Sequence, residues 1–107
     1  PINIAGWKPE NYDKTYRGSM RVSEAVARSI NTIAVQVSER VGRSKVIQMA
    51  RRLGISSDIP QAEAGIALGG FSASLEELTA AYLPFAADGL GVRPYAIDEI
   101  ADGRGKV

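Results

Sequence analysis

Neither cysteine nor histidine occurs among the 107 residues of this chain. Without cysteine there is no disulfide framework, no thiolate nucleophile and no cysteine-bound zinc or iron–sulfur site, and the redox compartment is left open. Without histidine there is no Ser-His-Asp triad, no Cys-His pair and no imidazole-ligated metal. Any catalysis therefore falls to Ser, Thr, Lys, Tyr or a carboxylate. No apolar run approaches the ~18–20 residues that cross a bilayer. What is present fits one small domain: 45% hydrophobic residues exclude wholesale disorder. The formal net charge is +1 but unevenly spread. Residues 1–57 carry ten Lys/Arg and four Asp/Glu, whereas residues 58–107 carry three and eight. Such asymmetry marks either a nucleic-acid face or parts that complement each other or a larger partner.

Residues 1–19 read as an extended lead-in, because Pro1, Gly6, Pro9, Asn11, Asp13 and Gly18 break any period, while Trp7, Tyr12 and Tyr16 offer apolar anchors. A helix over about 21–29 places Val22, Ala25, Val26 and Ser29 on one stripe. Asn31-Thr32 interrupts it. Thr32 then suits the N-cap of a second helix, about 33–41, with Ile33, Val37 and Val41 at four-residue spacing and Gly42 as its terminal glycine. Ser44 suits the cap of a third, about 45–53, presenting Val46, Ala50 and Leu53 and stopped by Gly54. Residues 55–73 look irregular. Ser74 with Glu77 has capping-box spacing, and Leu75, Leu78, Ala81, Tyr82 and Phe85 line one face of a fourth helix until Gly89, with a kink or early end expected at Pro84. Arg93–Ala101 reads as a strand, and Asp102-Gly103-Arg104-Gly105 as a tight turn. A turn of that kind calls for a returning strand, so the chain is expected to be a piece of a longer protein, with a free-standing helical domain as the alternative.

No phosphate-binding loop occurs, and Gly103-x-Gly105 leads into no helix. The carboxylate pairs Glu76/Glu77 and Asp98/Glu99 are adjacent in sequence and diverge; the first suits a helix N-terminus. Ala50-Arg51-Arg52-Leu53-Gly54-Ile55-Ser56 resembles the first half of a DNA-binding helix-turn-helix. The recognition helix that should follow meets Pro60 and the phosphate-repelling Asp58 and Glu63. The competing reading of Leu53-Gly54-Ile55 is a glycine cap followed by a hydrophobic contact.

Arg28-Ser29-Ile30-Asn31 lies at the end of one helix and the start of the next. A Ser and an Asn two apart at such a break can face one cleft, although the tripeptide is common and Asn is an ordinary cap residue. Its surroundings are more specific. The run Trp7-x-Pro9-x-Asn11-Tyr12-Asp13-x-x-Tyr16-x-Gly18, followed by Arg21-x-x-Glu24-Ala25-x-Ala27-x-Ser29-x-Asn31-x-x-Ala34-Val35, resembles the transpeptidase domain of class A penicillin-binding proteins. The resemblance continues through Val41-Gly42, Ala50-Arg51-x-Leu53-Gly54-Ile55, Ala67-Leu68-Gly69-Gly70 and Ser74-x-x-Glu77-Leu78-x-x-Ala81-Tyr82-x-x-Phe85-Ala86-x-x-Gly89.

That resemblance implies serine acyl transfer organised by three motifs: a nucleophilic Ser-x-x-Lys, a Ser-x-Asn and a Lys-Thr-Gly. Ser29 and Asn31 match the second. The Ser29 hydroxyl would relay protons between the two motif lysines, and the Asn31 amide would hold a substrate carbonyl and orient the catalytic lysine, which replaces histidine as base. None of the nine serines has Lys three residues on, and no Lys is followed by Thr-Gly or Ser-Gly. The other two motifs are therefore expected before residue 1 and after residue 107. Gly69-Gly70-Phe71 would line the rim of the same cleft, unless a tight turn accounts for the glycines.

The expected architecture is mainly α, about four helices with a C-terminal strand and turn, a fragment of an α+β domain. Residues 1–107 form one piece of it: lead-in 1–19, helices 20–89, and strand with the start of a hairpin 92–107. The resemblance further implies peptidoglycan stem peptides and β-lactams as partners, no nucleic acid, no cofactor and no metal. The parent would carry a membrane anchor outside this segment and work on the extracytoplasmic, periplasmic face of the membrane. Apart from its sheet, such a piece would expose the Ile33/Val37/Val41 and Leu78/Tyr82/Phe85 stripes and self-associate. A helix-turn-helix DNA module, and a non-catalytic interaction domain of the same fold, are the alternatives.

Overall fold

A computed structural model describes all residues, 1–107. Four α-helices and one short 3-10 helix follow the lead-in: α1 Val22–Ala27, α2 Asn31–Val41, α3 Arg43–Arg52, the 3-10 helix Ala64–Leu68, and α4 Leu75–Ala86. Helix α2 is the centre, packing against α1, α3 and the 3-10 helix.

The caps explain most boundaries. Ser74 Oγ accepts the Glu77 N–H at 3.1 Å, so α4 starts where its capping spacing predicts. Only half of the capping box forms, because the Glu77 carboxylate turns away to accept both the N–H and the hydroxyl of Ser56, pinning the loop after α3. Pro84 sits in the last turn of α4, and the helix runs two residues beyond it. At the end of α3, Gly54 takes φ 102°, Gly54 N–H donates to Arg51 O and Ile55 N–H to Ala50 O, both at 3.0 Å, while Ile55 is buried. This is a Schellman cap with its hydrophobic contact. The element after it is the five-residue 3-10 helix, and Arg51 Nη1 is occupied by the Ile55 and Ser57 carbonyls. No recognition helix follows α3.

Several expectations are corrected. Thr32 is not the cap of α2, which begins one residue earlier, nor is Ser44 the cap of α3, which begins at Arg43 directly after Gly42. The buried face of α2 is Thr32/Val35/Ser38, with Val35 fully enclosed, whereas Val37 and Val41 are exposed, as expected for that stripe in a piece apart from its sheet. Small polar side chains let the 3-10 helix approach α2 closely, so the inward face is the one with fewer large apolar groups. Ser38 brings a hydroxyl with no partner into that interface, a cost of about 1–3 kcal/mol. The 3-10 helix itself interrupts a stretch that looks irregular in sequence.

The strand Arg93–Ala101 does not form: that segment is exposed and has no ladder partner, although the turn after it closes, with Gly105 N–H donating to Asp102 O at 2.9 Å. A lone strand leaves its backbone groups unpaired, so nothing holds it in a sheet. Ile55, Ile59, Ile66 and Ala81 make the main core cluster, flanked by Val46, Ile47, Leu53 and Phe71. Only 12 of 107 residues are buried, and the radius of gyration is 18.4 Å, against about 13 Å for a compact domain of this size. The stripe Leu78/Tyr82/Phe85 faces outward.

Candidate functional site

The junction between α1 and α2 is built from two sides. On one side, α1 ends in a Schellman cap: Ser29 N–H donates to Val26 O at 3.1 Å and Ile30 N–H to Ala25 O at 2.9 Å, with Ile30 and Ala25 both buried. Ser29 therefore occupies the position that glycine takes at the end of α3, and its φ is 53°. An L-residue pays roughly 1–2 kcal/mol for that left-handed conformation. Ser29 is thus a strained, exposed serine projecting from a helix end, and strain of this kind concentrates at functional sites. Its placement corrects the stripe assignment, since it lies beyond α1.

On the other side stands the lead-in. Asn11 is 4% exposed although it belongs to an irregular segment. Its Oδ1 accepts the Thr32 N–H at 3.0 Å and the Thr32 hydroxyl at 3.1 Å, and its Nδ2 donates to Thr15 O at 2.7 Å. Asn31, the first residue of α2, donates from Nδ2 to Glu10 O at 3.1 Å. Its Oδ1 and second N–H make no bond within the chain, so the amide can accept from an ammonium and donate to a carbonyl at once. Sequence reasoning placed Asn11 in the matching pattern without giving it a task. The signal available was an Asn beside a turn-forming Asp13, but its partner lies 21 residues on.

The lead-in is shaped by Asp13, whose Oδ1 accepts the Thr15 N–H at 3.0 Å and the Thr15 hydroxyl at 2.8 Å, while Oδ2 pairs with Arg17. The two Thr15 bonds first, then Arg17, hold the Asp13 carboxyl at about 2, well below its ordinary 3.8. A depressed folded-state value stabilises the fold above the unfolded value and is lost as pH falls through the folded one. The expected outcome is a melting temperature that drops between about pH 4 and pH 2, with Asp13→Asn flattening that slope. Melting curves across the range check it, and an unchanged slope would show that the turn is not held this way.

A groove of about 480 Å³ runs between the lead-in and α2, lined by Asn11, Tyr16, Met20, Ile33, Val37 and Arg40 among others. Ser29 and Asn31 sit outside it, and so do Gly69, Gly70 and Phe71. Gly69, at φ 79°, closes the 3-10 helix; a Cβ on Gly70 would lie 2.9 Å from the Gly65 carbonyl oxygen; Phe71 packs on the core cluster. A structural task thus accounts for all three, and none contacts Ser29 or Asn31 through a hydrogen bond. No group of three His, Cys, Asp or Glu residues gathers closely enough to hold a metal ion, and no helix is long and apolar enough to cross a membrane.

A strained Ser, an Asn fixed at a helix start and a lead-in bonded to the first residues of α2 make up the candidate site, and comparison with known proteins gives the family. Residues 1–107 match the penicillin binding protein transpeptidase domain, and the chain belongs to that family. It is 36% identical to penicillin-binding protein 1B of Haemophilus influenzae over 110 residues, which is 99% of this chain and 14% of that protein. Penicillin-binding protein 1A of Aquifex aeolicus is 36% identical over 107 residues, and that of Rickettsia bellii 33% over 113, each covering 100% of this chain and 14% of the relative. The chain therefore spans about one-seventh of the length of these curated relatives. No solved structure matches it.

Proposed function

We propose that this chain is the central helical part of a peptidoglycan D,D-transpeptidase, and that Ser29 and Asn31 are its contribution to the active site. The observation that carries the reading is Ser29 itself. A left-handed serine stands at the helix end where α3 uses Gly54 and α4 uses Asp88, two residues before an Asn whose amide still has a donor and an acceptor to offer. In this mechanism a serine from a flanking segment attacks the carbonyl of a stem peptide's terminal D-Ala–D-Ala bond. The C–N bond breaks, the released D-alanine takes a proton, and the amine of a second stem displaces the serine to form the cross-link. Ser29 passes the proton between lysines, and Asn31 donates to the substrate carbonyl while accepting from the catalytic lysine. In the same reading Gly69, Gly70 and Phe71 line the rim of the cleft in the intact domain, in addition to the turn and core roles they have here. The parent protein, its membrane anchor, its periplasmic setting and its inhibition by β-lactams belong to the same reading, as does pairing of residues 92–107 in its sheet.

The test compares this chain with the full-length protein after incubation with excess labelled penicillin. Intact-mass measurement should show one adduct on the full-length protein, mapping outside these residues, and none on the chain. A drug mass added to the chain would overturn the placement of the nucleophile. A full-length protein that takes up no label would overturn the transpeptidase reading.

A further inference from the structure

We propose that Asn11 is a positioning residue of the acyl-transfer site, holding the Ser29–Asn31 segment in place by capping α2 from outside the helix. The inference rests on the assignment of Ser29 and Asn31 made above. Helix α2 has no cap of its own: the residue before it is Ile30, whose side chain cannot accept a hydrogen bond. The amide N–H groups of a first helical turn have no partner within the helix, and one buried without any is costly. Asn11 supplies that partner from 21 residues away, accepting both the backbone N–H and the hydroxyl of Thr32. The peptide is anchored in turn, because Asn11 Nδ2 donates to Thr15 O at 2.7 Å.

The adjoining carbonyl, that of Glu10, takes the Asn31 side-chain N–H. Glu10-Asn11 therefore grips α2 at two successive residues, one through a side chain and one through the backbone. The opposite end of the segment is tied by Ile30 N–H to Ala25 O. Ser29 lies inside the turn that this bond closes, just upstream of the Glu10-Asn11 grip, in a conformation that an unrestrained L-residue leaves. A strained residue persists only where its neighbours over-determine it, and Asn11 is the neighbour that fixes the downstream side. Asn11 acts through Thr32 and Asn31 and touches no reacting atom.

The experiment measures the second-order rate of acylation by a fluorescent penicillin in the full-length protein, beside its melting temperature. Asn11→Ala should slow acylation about 10²-fold, the loss that follows a misplacement of about 1 Å. Thr32→Ser keeps both donors to Asn11 and gives up only a methyl group, so it should stay within a few-fold of the parent. Val35→Ala, a cavity in the buried face of α2 away from the clamp, is the matched control for lost stability. It should lower the melting temperature with little change in rate. In the double variant Asn11→Ala/Asn31→Ala the two effects should overlap, leaving acylation hardly slower than in Asn31→Ala alone, because both act through one group. If Asn11→Ala does not fold, Thr32→Val removes one donor to Asn11 and should slow acylation several-fold. The proposal is overturned if Thr32→Ser is as slow as Asn11→Ala, if Val35→Ala is as slow at equal melting temperature, or if the double variant shows the product of the single effects. Normal acylation in Ser29→Ala and Asn31→Ala would overturn the underlying assignment and this proposal with it. Slow acylation in those two but not in Asn11→Ala or Thr32→Val would overturn this proposal alone.

Discussion

Ser29→Ala in the full-length protein should slow acylation by penicillin about 10²–10⁴-fold, the usual contribution of general acid–base catalysis, and leave the melting temperature nearly unchanged. The separation of the two effects follows from the geometry. The Ser29 hydroxyl makes no hydrogen bond within the chain, and alanine bears the same left-handed backbone cost as serine. Ser29→Gly sharpens the contrast. It loses the same hydroxyl but relieves the backbone, a gain of up to about 1 kcal/mol after glycine's greater unfolded freedom is deducted. Measured on the 107-residue chain itself, that raises the melting temperature by a few degrees, at roughly 4–8 °C per kcal/mol. Asn31→Ala should slow acylation as much or more, since it removes a substrate contact and frees the lysine, and it also loses the bond to Glu10 O. If Asn31 were only a helix-boundary residue, its removal would cost about 0.5–2 kcal/mol and spare the acylation rate. Normal rates in both Ser29→Ala and Asn31→Ala would remove the pair from the active site.

Ile66→Ala is expected to have the largest effect on stability. Ile66 is 5% exposed on the 3-10 helix, in the cluster with Ile55, Ile59 and Ala81. Emptying such a site costs about 2–5 kcal/mol, through lost transfer energy and the cavity left behind. With so few buried residues the chain has little else to compensate, so the melting temperature should fall by at least about 8 °C. Phe85→Ala makes the comparison: Phe85 is 77% exposed, and its loss should stay within about 0.5 kcal/mol. Thermal melts followed by circular dichroism decide the matter. Equal shifts for the two variants would show that the isoleucine cluster is not what holds the helices together.

Where the chemistry of a boundary is local, the sequence announces it. Ser74 with Glu77, Gly42 and Gly54-Ile55 mark helix ends by side-chain reach or backbone freedom within a few residues, and the structure uses each at or beside the expected place. Where a boundary or a face is decided by a distant partner, local pattern misleads. Thr32 looks like a cap because it is a hydroxyl before an apolar run, yet Asn11 does the capping. The polar residues Thr32 and Ser38 give no local sign of burial, yet with Val35 they form the enclosed face of α2. Arg93–Ala101 has the composition of a strand and lacks the neighbour that would make it one. The site was legible in part for the same reason. Ser29 and Asn31 stand out through their motif, whereas the left-handed turn at Ser29 and the Asn11 clamp depend on contacts made in space.

Every side-chain hydrogen bond that ties one segment to another spans 21 residues or fewer. Such short spans matter for the order in which the protein takes shape as it is made. At about 5–20 residues per second, a partner 21 positions downstream emerges within roughly 1–4 s. Asn11 can therefore meet Thr32, and Ser56 can meet Glu77, long before synthesis is complete, and low sequence separation keeps the closing of each loop fast. The helical assembly around α2 is thus suited to form vectorially from its N-terminal end. Residues 90–101 make no such tie and take no part in that assembly.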